Sequence, residues 1–177
     1  MHILIGLLTA IAGILWVLFR LQNSGVNLNS FNPFYWQRRR KWQQKLGTKP
    51  IHGLEDPMDA AAILAISMAM LEGELTREQK QHLIELFSSE FGIAIKEASE
   101  IYISLSHLLR NETNIISEVR YILRPTADLF SKSRRDSLLS MLYSVARTEG
   151  EPTDMQQEFL SEVEQVFTTD SNTDSDW

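Results

Sequence analysis

The feature that most constrains this chain is an apolar run from Ile3 to Phe19, interrupted only by Gly6, Thr9 and Gly13. At about 1.5 Å per residue a helix of that length spans roughly 25 Å, slightly less than a hydrocarbon core of about 30 Å. Snorkelling of Arg20 and interfacial placement of Trp16 make up the difference. Only His2 and the amino terminus precede the run, and no small-residue cleavage site follows it. A cleaved signal peptide would need a basic start and such a site. The run is therefore expected to be an uncleaved membrane anchor, residues 1–22.

Charge gives the anchor a direction. Residues 1–50 carry seven Lys and Arg (Arg20, Arg38, Arg39, Arg40, Lys41, Lys45, Lys49) and no acid. The remainder holds the other ten of the 17 basic residues and all 23 acidic ones, a net −13. Flanking cations on the C-terminal side of a span stay in the cytoplasm. The reading is a single pass through a bacterial inner membrane with the C-terminal domain cytoplasmic. In the juxtamembrane segment 23–54, Trp36 and Trp42 flank Arg38, Arg39, Arg40 and Lys41. Aromatic rings at headgroup depth beside cations suit anionic lipid headgroups. Gly6, Ala10 and Gly13 recur on one helical face, where small residues let two helices approach, so the anchor is a candidate homodimer contact. An acidic domain lacks the basic face that nucleic-acid phosphates require. The absence of cysteine excludes disulfides and thiolate chemistry.

Beyond the anchor the pattern is all-α. Gly47 to Gly53 reads as linker. Asp56-Pro57 marks a helix start, with Asp as N-cap and Pro at the first helical position. Ala60 to Leu71 is too short to span a bilayer and nearly all apolar, so it is expected to be a central helix buried on most sides. Thr76-Arg77-Glu78-Gln79 is a capping box, and Leu83, Ile84, Leu86, Phe87 and Phe91 then follow a 3.6 period up to Gly92. Further helices are expected at Ile95–Leu109, Glu112–Leu123, Ser133–Thr148 and Thr153–Phe167. No alternating strand pattern is present. The soluble domain is placed at 55–168 and an acidic, disordered tail at 169–177.

The domain contains a repeat. Ser67-x-Ala69…Glu72-Gly73-Glu74-x-Thr76-x-x-Gln79 reappears as Ser144-x-Ala146…Glu149-Gly150-Glu151-x-Thr153-x-x-Gln156, an offset of 77 residues. Each copy is a helix, a glycine turn expected to sit in the αL region, and a capped helix. Two related helical hairpins sharing one core follow from this.

These residues resemble the TerB-like family associated with tellurite resistance, including the TerB-like region of membrane-anchored DjlA-type co-chaperones. The resemblance rests on the apolar helix 61–71, the Glu72-Gly73-Glu74 turn, the capped start at Thr76–Glu78 and the echo at Glu149-Gly150-Glu151. It departs from the family pattern at Glu72, where Asp is usual. The His-Pro-Asp tripeptide of a J-domain is absent. The resemblance implies a helical module in membrane-associated stress or envelope complexes. It also implies metal binding through acidic residues, and it admits a regulator of a heat-shock chaperone that lacks its own J-domain.

The acidic turns are the one concentrated candidate site: Glu72, Glu74 and Glu78 in the first copy, Glu149, Glu151 and Asp154 in the second. Converging, they would offer six carboxylates to a divalent cation such as calcium or magnesium. Kept apart, they favour the helix macrodipole and stay solvated. The histidines are scattered, and no nucleophile elbow, Walker or dinucleotide motif occurs. The expectation is a non-enzymatic module that binds another protein, with metal sensing and chaperone regulation as rival readings.

Overall fold

A computed structural model describes residues 49–173. The expected anchor, residues 1–22, and positions 23–48 of the basic–aromatic segment lie outside the described residues. Among the described residues there is no strand, and no helix is long and apolar enough to cross a membrane.

The chain enters as a short 3₁₀ turn, Pro50–Gly53, and then forms α1, Pro57–Met70. Asp56 sits in extended backbone and its carboxylate accepts the Met58 N–H at 2.9 Å, the cap expected from Asp-Pro. Every residue from Asp59 to Met68 is buried. A helix this apolar on all sides has no solvent face to offer. It packs instead against α2 (Arg77–Phe91), α3 (Ile95–Leu109), the short α4 (Val119–Leu123) and α5 (Lys132–Ala146). The last helix, α6 (Asp154–Thr173), lies on α4 and α5. Ser67 satisfies its hydroxyl inside the core on the Ile63 carbonyl at 2.7 Å.

Elsewhere the local signals act as expected. Both halves of the Thr76 capping box form, Thr76 N–H to Gln79 Oε1 at 2.6 Å and Gln79 N–H to Thr76 Oγ1 at 3.2 Å. Gly92 closes α2 at φ 64°, and the Ile93 N–H reaches back to the Ser88 carbonyl at 3.2 Å. On α3 the buried stripe Ala98, Ile101, Tyr102, Leu105 and Leu109 follows one helical face. Arg135 joins the two ends of the second hairpin. It donates to the Phe130 carbonyl at 2.9 Å and the Phe167 carbonyl at 3.4 Å, and its guanidinium lies 5.1 Å from the Phe167 ring centre.

Four expectations need correction. The helix placed at Glu112–Leu123 is reduced to a 3₁₀ turn, Ile116–Glu118, and α4. Ser117 donates its hydroxyl to the Asn114 carbonyl at 2.9 Å, a local bond that competes with helix. Gly47 to Gly53, within the segment 23–54, is expected to be linker, yet Pro50–Gly53 is folded and Ile51 and Leu54 are fully buried against α3 and α4. Periodicity cannot detect a two-residue apolar anchor. The last helix was ended at Phe167, and the tail was started at 169, but α6 continues to Thr173. Phe167 is buried, and extending an anchored helix adds one hydrogen bond per residue without a new nucleus. Residues 174–177 lie outside the described residues. Finally, Gly73 and Gly150 are not αL: their φ angles are 129° and 138°.

Candidate functional site

The two Glu-Gly-Glu turns are copies in backbone as well as in sequence. In the first, Leu71 N–H bonds the Met68 carbonyl and Gly73 N–H bonds the Met70 carbonyl. In the second, Thr148 N–H bonds Val145 and Gly150 N–H bonds Arg147, the same bonds at the repeat offset. The second capping box forms too, Thr153 N–H to Gln156 Oε1 at 3.0 Å and Gln156 N–H to Thr153 Oγ1 at 3.4 Å. Both glycines hold a positive φ that L side chains rarely adopt. This conformation turns each helix away in a few residues, and the capping box starts the next.

Tertiary packing brings the turns together. Helices α1 and α5 pack together; Ala69 shares one cleft with Val145 and Ala146, and Met58 shares another with Arg134 and Leu138, so the two helices run in the same direction and both turns emerge at one end. A small cleft there, about 30 Å³, is lined by equivalent residues from each copy: Ala69 and Ala146, Glu72 and Glu149, Gln79 and Gln156. His82 and Leu83 complete the wall on the α2 side. The Gln79 amide donates across the cleft to the Glu149 carboxylate. Gln79 thus caps its own helix with its oxygen and ties the two hairpins with its nitrogen.

The remaining acidic candidates are distributed around this end. Glu72, Glu74, Glu78, Glu149, Glu151 and Asp154 are all exposed. Glu78 and Asp154 sit in the first turns of α2 and α6, where negative charge suits the macrodipole. Glu151 lines a separate shallow depression with Tyr143, Arg147 and Gln157. Among the described residues, no group of three or more His, Asp or Glu side chains is arranged to hold a metal ion. A hard cation wants six or more oxygens. The cleft presents two carboxylates, and one of them already accepts the Gln79 amide. The six acidic residues share an end of the fold without forming a chelate in this conformation. The lipid-facing candidates Arg38, Arg39, Arg40, Lys41, Trp36 and Trp42, and the anchor face Gly6, Ala10 and Gly13, lie outside the described residues.

The structure reveals two further features. An open groove of about 320 Å³ runs along the N-terminal halves of α1 and α5. Its floor is Met58, Ala61, Phe91, Phe130, Leu138 and Met141, and its rim carries Asp56, Glu90 and Arg134. The second feature is an ionic cluster at the entry of the domain. Lys49 Nζ lies 2.7 Å from a Glu112 oxygen and 2.6 Å from a Glu118 oxygen. His52 Nε2 lies 2.5 Å from the other Glu118 oxygen, and its ring rests 5.2 Å from that of Tyr121. Burial pushes the Glu118 carboxyl up, but the bonds from Lys49 and His52 outweigh this and hold it below its ordinary value. The bond to Glu112, followed by that to Glu118, raises Lys49 above its own. Linker composition gave no signal of this cluster, because its members are more than 60 residues apart in the chain.

A comparison with protein families matches residues 58–173 to the family described as tellurite resistance protein TerB. The chain belongs to the TerB family. The matched span covers two thirds of the sequence and takes in all six helices of the domain except the first residue of α1. Within this TerB domain the turns and capping boxes that suggested the relationship are the residues that form the duplicated end. No curated protein and no solved structure matched the chain. The DjlA-like layout rests on the segment before residue 58, outside the TerB match.

Proposed function

We propose that this protein is a TerB-type interaction module held at the cytoplasmic face of the inner membrane, binding a protein partner rather than catalysing a reaction. What carries the reading is the coupling of a TerB domain to a chain whose first 50 residues hold seven cations and no acid. The apolar run Ile3–Phe19 supplies the anchor, and the cations on its C-terminal side direct the domain inward. Trp36, Trp42 and the Arg38–Lys41 run supply contact with anionic headgroups. TerB membership supports a place in tellurite-resistance-like or envelope-stress assemblies. The acidic end built from both turns is the surface offered to the partner, and a basic partner surface is its complement.

The test is in-membrane crosslinking of the full chain followed by identification of captured proteins, paired with Glu72→Lys and Glu149→Lys substitutions. A partner captured by the native chain and lost on charge reversal supports the reading. Equal capture by both removes the acidic end from the interface. Protease accessibility in right-side-out and inverted vesicles tests orientation independently, and cleavage of the TerB domain in right-side-out vesicles would overturn the cytoplasmic placement.

A further inference from the structure

The entry cluster fastens residues that precede the matched span onto the domain. The TerB match begins at residue 58, whereas the ionic contacts of Lys49 and His52 and the buried Ile51 and Leu54 all lie before it. The segment lies on α3 and α4. It is fastened in two ways. Ile51 and Leu54 are buried completely, an apolar contact that charge screening does not weaken. Lys49 and His52 grip Glu112 and Glu118 with side chains that stay partly accessible, 46% for Lys49, 20% for His52 and 13–14% for the two glutamates. Such pairs weaken as ionic strength rises.

We propose that Lys49–Leu54 is a releasable strap, in which the ionic grip on Glu112 and Glu118 keeps Ile51 and Leu54 seated. Loosening the grip lets the strap peel from α3 and α4 while the TerB core remains folded. Three observations make the strap separable. It is short, and its regular structure is a single 3₁₀ turn closed by bonds such as His52 N–H to the Lys49 carbonyl at 2.9 Å. Its charged contacts all converge on the connection between α3 and α4, with Glu118 accepting from both Lys49 and His52. The helix that follows has its own cap, since the Asp56 carboxylate accepts the Met58 N–H at the start of α1. Glu118 is the pivot because removing its charge breaks the contact with His52 and one of the two made by Lys49, leaving only Lys49–Glu112. Release uncovers the apolar strip of α3 and α4 beneath Ile51 and Leu54, at the point where the chain enters the domain. Screening of the grip is the trigger.

The test is hydrogen exchange of the full chain, followed peptide by peptide, at about 0.01 M and about 1 M salt, where the screening length falls from about 30 Å to about 3 Å. The strap amides should exchange several-fold faster at high salt while those of α1 do not change. Glu118→Gln should bring about fivefold faster strap exchange at low salt and reduce the salt dependence to what the Lys49–Glu112 pair retains. Ile51→Ala should speed strap exchange while preserving its salt dependence, which separates the apolar fastening from the ionic one. Strap and α1 amides opening together in the native chain would show that the segment is an inseparable part of the core and overturn the proposal. Unchanged strap exchange in Glu118→Gln would overturn it too.

Discussion

The two hairpins of the domain share a turn and differ in what surrounds it. At the repeat offset, His82 on α2 corresponds to Phe159 on α6, yet His82 is exposed and Phe159 is fully buried. Gln79 is half-buried, whereas its counterpart Gln156 is 4% exposed. Helix α1 is buried throughout its middle, while α5 buries a stripe of Leu138, Met141, Leu142, Val145 and Ala146, half-buries Arg135 and Leu139, and exposes the rest. The backbone hydrogen bonds of the turns are nevertheless the same. Local chemistry therefore sets the turn, and position in the bundle sets which side chains contribute to stability. The second helix of each hairpin packs on a different neighbour, α2 on α3 and α6 on α4, and this is where equivalence ends.

The sharpest test of that contrast is a matched pair of substitutions. Phe159→Ala should destabilise by about 3–5 kcal/mol through the cavity it leaves, while His82→Ala should stay within about 0.5 kcal/mol. Denaturant midpoints at constant slope would measure both, and similar losses would mean that the hairpins are energetically equivalent after all. The glycines test the shared part. Gly73→Ala and Gly150→Ala meet no neighbouring atom within 4 Å, so the cost is backbone strain alone, about 1–3 kcal/mol at each site. A large difference between them would break the structural identity of the turns. Next come the caps: Thr76→Ala and Thr153→Ala should each cost about 1 kcal/mol, seen as a shift of the thermal midpoint.

The smallest effect expected concerns the entry cluster, which has no counterpart in the repeat. Glu118 is held below its ordinary value of 4.5, so its contribution is present above that pH and is lost as pH falls through and below it. Lys49 is raised above 10.5, so its contribution is present below that pH and is lost as pH rises past it. The native chain should therefore lose up to about 1 kcal/mol between pH 5 and pH 3 that Glu118→Gln does not lose. Parallel pH profiles for the two proteins would remove Glu118 from the stability of this corner.

Much of the domain was legible because its signals are local. Asp56-Pro57, the two Thr-x-x-Gln boxes and Gly92 act through bonds spanning two to five residues, so their residue types predict their geometry. The apolar density of 60–71 announced a central helix because no other environment accepts it. The same locality explains the errors. The sequence showed that Glu112–Leu123 favours helix but not that Asn114 and Ser117 would bond each other first. It showed charge at Lys49 and Glu118 but not that the chain would bring them within 2.6 Å.

The candidate site divides in the same way. The sequence by itself determined that two acidic turns exist, that both are capped and that both need glycine, because each requirement is met within a dozen residues. Only the tertiary structure decided that α1 and α5 lie parallel, so that Glu72 and Glu149 share a cleft closed by Gln79 while Glu151 faces elsewhere. That outcome depends on how the apolar faces of separate helices fit, and packing between distant segments has no signature in any one of them.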